Sequence, residues 1–326
     1  MEKKAKNGKV TIANIIAIVG VVLLMVFTFI GHSFMSGGEL GMDIVVSVAI
    51  TAFIAFLVWF MIKAKGAENE LAKWKKLEIA TLVVYVVVAI PLSLYGGIMQ
   101  FFIVNDNKER VKECAKDDLD RIDQMFLDYK EFEEQAIGRT SDGLSNAIKE
   151  GRRNDDLKEF MKTNHISASE EGVSAFKDLQ MRLLVGSGYE RLYTSFKEQR
   201  VKIEQSIDSW SMMLIPTKAK QIPALAESAQ QELNTLSNGA KLPVINNESG
   251  LYKIKEYQVK QFETAPLELK EAMQGTGGFS VKALLFVLLI HILILFNYVV
   301  AYRTSTLSIN KRGRNDNGNY SAITLL

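Results

Sequence analysis

Carboxylate side chains form the densest group of chemically capable residues in this sequence. Eight of them lie in one short stretch: Asp117, Asp118, Asp120, Asp123, Asp128, Glu131, Glu133 and Glu134. Such residues could bind calcium, but a calcium loop needs a fixed order of oxygen ligands around a turning glycine, which this stretch lacks. On a helix, several of these residues share the face opposite an apolar stripe. We therefore predict a solvated helix face, with a docking surface for a basic partner as the alternative.

Histidine and cysteine, which support metal and nucleophilic chemistry, are few and scattered. His32, His165 and His291 belong to different regions, and Cys114 is the one cysteine. No zinc-ligand spacing, phosphate-binding glycine loop or nucleophile motif occurs. We predict that the protein is not an enzyme and has no catalytic, cofactor-binding or metal site. Cys114 is expected to be half-buried on a helix, with a disulfide across a dimer axis as the alternative.

Apolar residues are concentrated in four segments that could each cross a hydrocarbon core of roughly 30 Å. These predicted spans cover residues 10–30, 44–62, 79–104 and 283–302. Apart from tyrosines, the four predicted spans contain one ionisable residue, His291, which lies in the fourth span. This histidine could respond to protons, or it could be a neutral residue bonded to a neighbouring helix. Pro91, followed by Gly96 and Gly97, predicts a kink in the third span.

Lysine and arginine beside the spans predict the orientation. Three segments are basic: 1–9, 63–78 and 303–326. The connection 31–43 carries no basic residue but has Glu39 and Asp43. By the positive-inside tendency, both termini lie in the cytoplasm, and residues 105–280 lie on the other side of the cell inner membrane. The C-terminal tail, rich in Asn, Gly and Arg, is expected to be disordered.

The region 105–280 has 25 basic and 30 acidic residues and repeated helical periodicity. Apolar residues at steps of three and four predict a helix over 106–137 that continues the third span as one rod. Further helices are predicted around four stretches: 173–183, 189–214, 225–236 and 257–273. Together they predict a helical bundle.

Glycines and capping residues predict where these helices begin and end. The predicted breaks and caps are residues 138–143, Asn154, Ser167 with Glu170, residues 186–188 and residues 238–239. Residues 242–255 interrupt the helical pattern and predict either a small hairpin or an extended loop. Residues 275–278, Gly-Thr-Gly-Gly, predict a flexible joint before the fourth span.

The predicted fold class is an all-α membrane protein with four transmembrane helices and a helical-bundle extracytoplasmic domain. A structural or assembly subunit fits this plan, because the cytoplasmic segments are too short for a catalytic or output domain. A membrane sensor that signals through a partner is the alternative. The apolar spans disfavour a transporter, and the acidic outer region disfavours nucleic-acid binding.

The order of three N-terminal spans, a helical outer domain and one C-terminal span resembles the TssN-type inner-membrane subunits of the Bacteroidetes type VI secretion apparatus. The resemblance covers the layout of the whole chain, not a residue motif, so it transfers no site residue. It implies a part of a trans-envelope complex that serves effector delivery. Membrane lipids, other envelope proteins and further copies in a homo- or hetero-oligomer are then the expected partners.

Overall fold

The computed structural model describes residues 2–67, 71–239, 242–257, 260–274 and 278–301. The chain divides into two compact units. We name Met1–Lys108 with Glu271–Leu326 the membrane unit, and Glu109–Lys270 the extramembrane unit.

Helices make up most of both units. In chain order the described elements are α1 (Glu2–Ser36), α2 (Leu40–Gly66), α3 (Leu71–Val84), α4 (Ile90–Ser93), α5 (Met99–Asp106), α6 (Lys108–Lys149), α7 (Asp155–Thr163), α8 (Glu170–Leu184), α9 (Ser187–Ile207), α10 (Ile215–Ala219), α11 (Gln221–Gly239), β1 (Pro243–Glu248), β2 (Leu251–Tyr257), α12 (Leu269–Gln274) and α13 (Val281–Val300). π-Helical turns at Tyr85–Ala89 and Leu94–Ile98 join α3, α4 and α5.

Four helical runs in the described part of the chain are long and apolar enough to cross a membrane: Ile12–Ser36, Leu40–Gly66, Ala72–Asp106 and Val281–Val300. They confirm the four predicted spans, with ends displaced by a few residues. Their outward faces carry exposed apolar side chains such as Val87 and Val299, as contact with hydrocarbon requires. The chain is therefore a multi-pass membrane protein.

The first two spans form a tighter hairpin than their sequence predicts. Only three residues, 37–39, separate α1 from α2, and Gly37 (φ 69°) and Gly38 (φ 85°) make the turn. Most of the predicted connection 31–43 is therefore helical. His32 lies in the last turns of α1, and Asp43 lies in the first turn of α2.

Glycines let the backbones of the membrane unit cross closely. A Cβ atom on Gly31 would overlap the Gly97 carbonyl, and one on Gly20 would come within 2.9 Å of the Ile294 side chain. Gly97 itself has φ 155°, which glycine adopts far more easily than other residues. The kink predicted near Pro91 is confirmed, and the distorted backbone lies at Gly97.

The prediction that the third span and residues 106–137 form one uninterrupted α-helix is wrong. Two π-helical turns lie within the third span, and Asn107 (φ −107°, ψ 18°) separates α5 from α6. The apolar periodicity of the two segments was correct, but periodicity does not report where hydrogen bonding changes from i→i+4 to i→i+5.

The predicted break at 138–143 is also wrong, because α6 runs unbroken for 42 residues. Gly143 lies against β1, where an added Cβ would come within 2.7 Å of the Ile245 Cβ. The Thr140 hydroxyl lies 2.8 Å from the Pro243 carbonyl. Glycine thus serves the close approach of a strand at this point and does not end the helix.

Caps and helix ends in the extramembrane unit agree in part with prediction. Asn154 caps α7 by accepting from the Leu157 N–H at 3.0 Å, as expected. The cap of α8 is Ser169, not Ser167, since the Ser169 hydroxyl accepts from Gly172 N–H. α9 ends at Ile207, short of the predicted residue 214.

The segment 242–257 is a hairpin rather than a loop. β1 and β2 pair antiparallel, with Ile245 opposite Ile254 and Glu248 opposite Leu251. Ser249 (φ 53°) and Gly250 (φ 85°) form the two-residue turn, which suits the twist of paired strands.

The last predicted helix, 257–273, is wrong over most of its length, since residues 260–268 are non-helical and α12 begins only at Leu269. The Asn234 side chain replaces helical hydrogen bonding here. It accepts from the Phe262 N–H at 2.7 Å and donates to the Phe262 carbonyl at 3.0 Å. The predicted joint (except Gly278) and the tail 303–326 lie outside the described residues.

Gly143→Ala tests the role assigned to this glycine. Helix propensity alone predicts stabilisation by about 1 kcal/mol, but the contact with Ile245 predicts a net loss of about 1–3 kcal/mol through overpacking. Gly138→Ala, with open space around its Cβ position in the same helix, is the matched control and is expected to stabilise. Thermal unfolding of the detergent-solubilised chain, followed by circular dichroism, measures both. Equal upward shifts would contradict the assignment.

Candidate functional site

His291 is buried in the middle of the fourth span and bonds to the third span through both ring nitrogens. The Tyr85 hydroxyl lies 2.6 Å from Nδ1, and the Ser93 hydroxyl lies 2.8 Å from Nε2. The two rings meet edge to face, 5.2 Å apart. This geometry confirms the expected hydrogen bonding of His291 to a neighbouring helix.

The hydrogen-bond donors around His291 indicate its tautomer. The Ser93 hydroxyl donates to the Ile90 carbonyl at 2.8 Å, so its oxygen is left to accept from His291 Nε2–H. Nδ1 then accepts from the Tyr85 O–H. All three side chains are satisfied in this arrangement with a neutral imidazole, which suits a site shielded from water.

The first π-helical turn of the third span, Tyr85–Ala89, brings Tyr85 and Ser93 to the same side. Each turn of this type absorbs one extra residue relative to an α-helix. The eight-residue separation therefore presents the two side chains as though they were about seven residues, or two turns, apart. The first π-helical turn begins at Tyr85 itself.

Further polar contacts join the third and fourth spans at both ends. At one end, the Tyr298 hydroxyl donates to Glu78 at 2.6 Å. At the other end, Lys282 pairs with Asp106 at 2.7 Å. Gln100 of the third span also donates at 2.5 Å to the carbonyl of Met273, which lies in α12, just before the fourth span in the chain. We name these contacts, together with those of His291, the span ladder.

A second polar cluster joins the first two spans, and the sequence prediction missed it. The Asp43 carboxylate, 0% exposed, accepts from the Ser33 hydroxyl at 2.8 Å and lies 2.7 Å from His32 Nδ1. The sequence analysis placed His32 and Asp43 in the solvent-exposed connection between the first two spans. The nearby Gly37-Gly38 pair, which permits a very short turn, was the available signal that both residues fall inside helices.

In the extramembrane unit, Asp118 fastens the start of α6 to the segment that precedes the fourth span. Its buried carboxylate accepts from the Glu268 N–H at 2.9 Å and the Leu269 N–H at 3.0 Å. Burial raises the pKa of Asp118, although the two N–H groups oppose this effect. Arg121 binds the Pro266 carbonyl and the Glu268 carboxylate. We name this arrangement the Asp118 clamp.

The predicted solvated carboxylate face is correct for most of its members but not for all. Exposed positions are Asp117, Asp120, Asp128, Glu131 and Glu134. Asp118 and Glu133 are buried instead, and Asp123 is half-buried and pairs with Arg200 at 2.9 Å. The sequence pattern could not separate them, since the partners that satisfy the buried carboxylates come from distant segments.

Glu133 is satisfied by a residue of α11. The Ser237 hydroxyl donates to its carboxylate at 2.6 Å, and burial raises the pKa of Glu133. Around it, stacked aromatic rings form the core between α6 and α9, including Tyr129 on Tyr189 and Phe126 on Phe196.

The other chemically capable residues do not converge. Among the described residues, no group of three or more His, Cys, Asp or Glu side chains could hold a metal ion. Cys114 is buried on α6, deeper than the half-buried position expected of it. A shallow depression of about 420 Å³ runs along α9 and is lined by that helix alone: Ser187, Glu190, Arg191, Thr194, Ser195 and Glu198. With walls from one helix, it does not enclose a ligand.

Comparison with family models, with curated proteins and with solved structures finds no match for this chain. Its class rests on the structure itself. It is an all-α multi-pass membrane protein with four candidate spans, a helical extramembrane unit and one small hairpin. Its distinctive sites are hydrogen-bonded contacts that hold helices together.

A double-mutant cycle on Tyr85 and His291 tests the central contact of the span ladder. His291→Leu leaves the Tyr85 hydroxyl without its acceptor in a buried, apolar setting, so adding Tyr85→Phe should recover part of the lost stability. We expect a coupling energy of about 0.6–2 kcal/mol, the range for such bonds between membrane helices. Unfolding in detergent mixtures measures it. Additive effects would show that the pair is not coupled.

The raised pKa of Glu133 predicts a pH-dependent stability. The native state binds this proton more tightly than the unfolded chain, so stability falls as pH rises through the native pKa. Glu133→Gln keeps an acceptor for Ser237 but cannot ionise, so its melting temperature should rise relative to that of the wild type as the pH increases from about 4, the ordinary pKa of a glutamate. Glu134→Gln, at an exposed neighbouring position, is the control. A difference that does not change with pH would refute the assignment.

Proposed function

We propose that this protein is a non-catalytic structural subunit that anchors a helical unit to the membrane within a multiprotein complex. The observation that carries the proposal is that, in each unit, polar contacts join a segment on the side of the third span to a segment on the side of the fourth. In the membrane unit, the span ladder joins the third span to the fourth. In the extramembrane unit, the Asp118 clamp joins the segment leaving the third span to the segment approaching the fourth.

These contacts support a holding role because each polar group is used to satisfy another. A transport pathway would direct ionisable groups toward a cavity or an ion. Here the intramembrane residues His291 and Asp43 are directed at side chains of neighbouring helices. Arranged in this way, they resist relative movement of the helices that they join.

The narrower form of the proposal follows the resemblance in layout to TssN-type subunits. The protein would then sit in a bacterial inner membrane as part of a trans-envelope secretion apparatus. Its basic segments favour cytoplasmic termini and a periplasmic extramembrane unit. Other envelope proteins and further copies of the chain would be its partners.

A sensor that signals through a partner is the second candidate, and one observation favours it. The third span contains two π-helical turns and a distorted glycine at Gly97, and π-helical turns occur often at functional sites. A ligand on the extramembrane unit could in that case change the packing of this span. The protein would then need to work without a stoichiometric assembly.

Purification from native membranes in mild detergent tests the assembly proposal. The tagged protein should elute as a stoichiometric complex with other envelope proteins, identified by mass spectrometry and sized by light scattering. Arg121→Ala removes one arm of the Asp118 clamp and should lower the recovered complex without lowering the amount of protein in the membrane. Arg182→Ala is the control, since Arg182 donates to the Asp178 carbonyl of its own helix.

Recovery of the wild type alone, as a monomer or dimer, would overturn the assembly proposal and favour the sensor. Equal loss of complex in the Arg121 and Arg182 variants would show that the clamp has no particular part in assembly. A lower amount of the Arg121 variant in the membrane would indicate a folding defect. The amount of each variant in the membrane is therefore measured in parallel by immunoblotting.

A further inference from the structure

α9 runs antiparallel to α6, so its C-terminal end lies beside the start of α6. Tyr189 near the start of α9 donates to the Phe126 carbonyl at 3.1 Å. Further along, Arg200 pairs with Asp123 at 2.9 Å. Beyond the end of α9, the Asp208 carbonyl accepts from Lys112 at 3.2 Å. Residue numbers on α6 fall as those on α9 rise.

The start of α6 is tied to the bilayer by the chain itself. The third span ends at Asp106, and Lys112 follows six residues later. At helical rise this corresponds to about 9 Å, while the headgroup region on each side of a bilayer is roughly 5–8 Å thick. The turn after α9 contacts Lys112 through the Asp208 carbonyl, so it lies within a short length of chain of the end of the third span.

The segment 208–214 at this end presents two apolar side chains to solvent. Met213 is 66% exposed and Leu214 is 48% exposed. Behind them, Trp210 is 1% exposed and donates to the Ser206 hydroxyl at 3.1 Å. The Leu214 N–H bonds to the Ser211 carbonyl at 2.8 Å. The exposed pair is thus fixed by a buried anchor and a closed turn.

Basic residues lie close to this apolar tip, on α6 and further along the chain. Lys116 lies 3.4 Å from Asp208 and is about half exposed, and Lys218 and Lys220 follow in and just after α10. An apolar tip flanked by lysines is the composition of segments that lie in the interface of a membrane, where the lysines reach phosphate groups.

We propose that Met213 and Leu214 insert into the headgroup boundary of the same bilayer that holds the four spans. The occupant of this surface is the lipid leaflet on the side where the third span ends. This contact gives the extramembrane unit a further attachment to the membrane. It does not depend on the proposed role in assembly.

Site-specific fluorescence tests the proposal in the full-length chain. In a Cys114→Ala background, Met213→Cys is labelled with the environment-sensitive dye NBD and reconstituted in phosphatidylcholine vesicles. The dye should show blue-shifted emission, quenching by spin-labelled phosphatidylcholine and protection from aqueous iodide. Leu251→Cys is the matched control. It is an apolar residue of 45% exposure in the hairpin that packs on the opposite end of α6, and it should show the reverse pattern.

Quenching of the Met213 dye by iodide but not by spin-labelled lipid would overturn the proposal. Protection from both quenchers would also overturn it, because the surface would then be covered by another copy of the chain. Leu214→Cys gives an independent second site and is expected to repeat the Met213 pattern. Circular dichroism confirms that each labelled variant is folded.

Discussion

The need to satisfy polar groups away from water governs the membrane unit. Hydrocarbon offers no hydrogen-bond partners, so a histidine in the middle of a span must find them on other helices. His291 does so with Tyr85 and Ser93, and this requirement fixes the rotation and height of the fourth span relative to the third. The π-helical turn at Tyr85–Ala89, which aligns Tyr85 with Ser93, is part of the same solution.

In the extramembrane unit, which water surrounds, buried polar groups likewise need hydrogen-bond partners. α6 contacts α9, α11 and β1, and its buried stripe continues past the glycines that were expected to end it. Two of its carboxylates face inward, where Asp118 receives two backbone N–H groups and Glu133 receives a serine hydroxyl. A buried carboxylate is tolerable only with such donors, so each one specifies which distant segment packs against α6.

These contacts share one consequence for function. Polar side chains that might have formed a reactive site are used to hold helices in place. A structural subunit of the kind that we propose acts through the surfaces it presents and the rigidity with which it presents them. Both the assembly proposal and the proposed membrane contact of Met213 and Leu214 are consistent with that use of side chains.

The sequence alone determined the four spans, the helical character of both units and the Asn154 cap, because apolar length, periodicity and capping are local properties. It also favoured an interhelical hydrogen bond for His291, but it left a hairpin and an extended loop as equal alternatives for residues 242–255. Only the tertiary structure decided the partners of His291, the burial of Asp118, Glu133 and Asp43, and the continuity of α6 through Gly143. Each of these depends on atoms far away in the chain: the Glu268 backbone for Asp118, the Ile245 side chain for Gly143. Local pattern shows that a residue is capable of such a contact, but the packing of distant segments decides whether the contact is made.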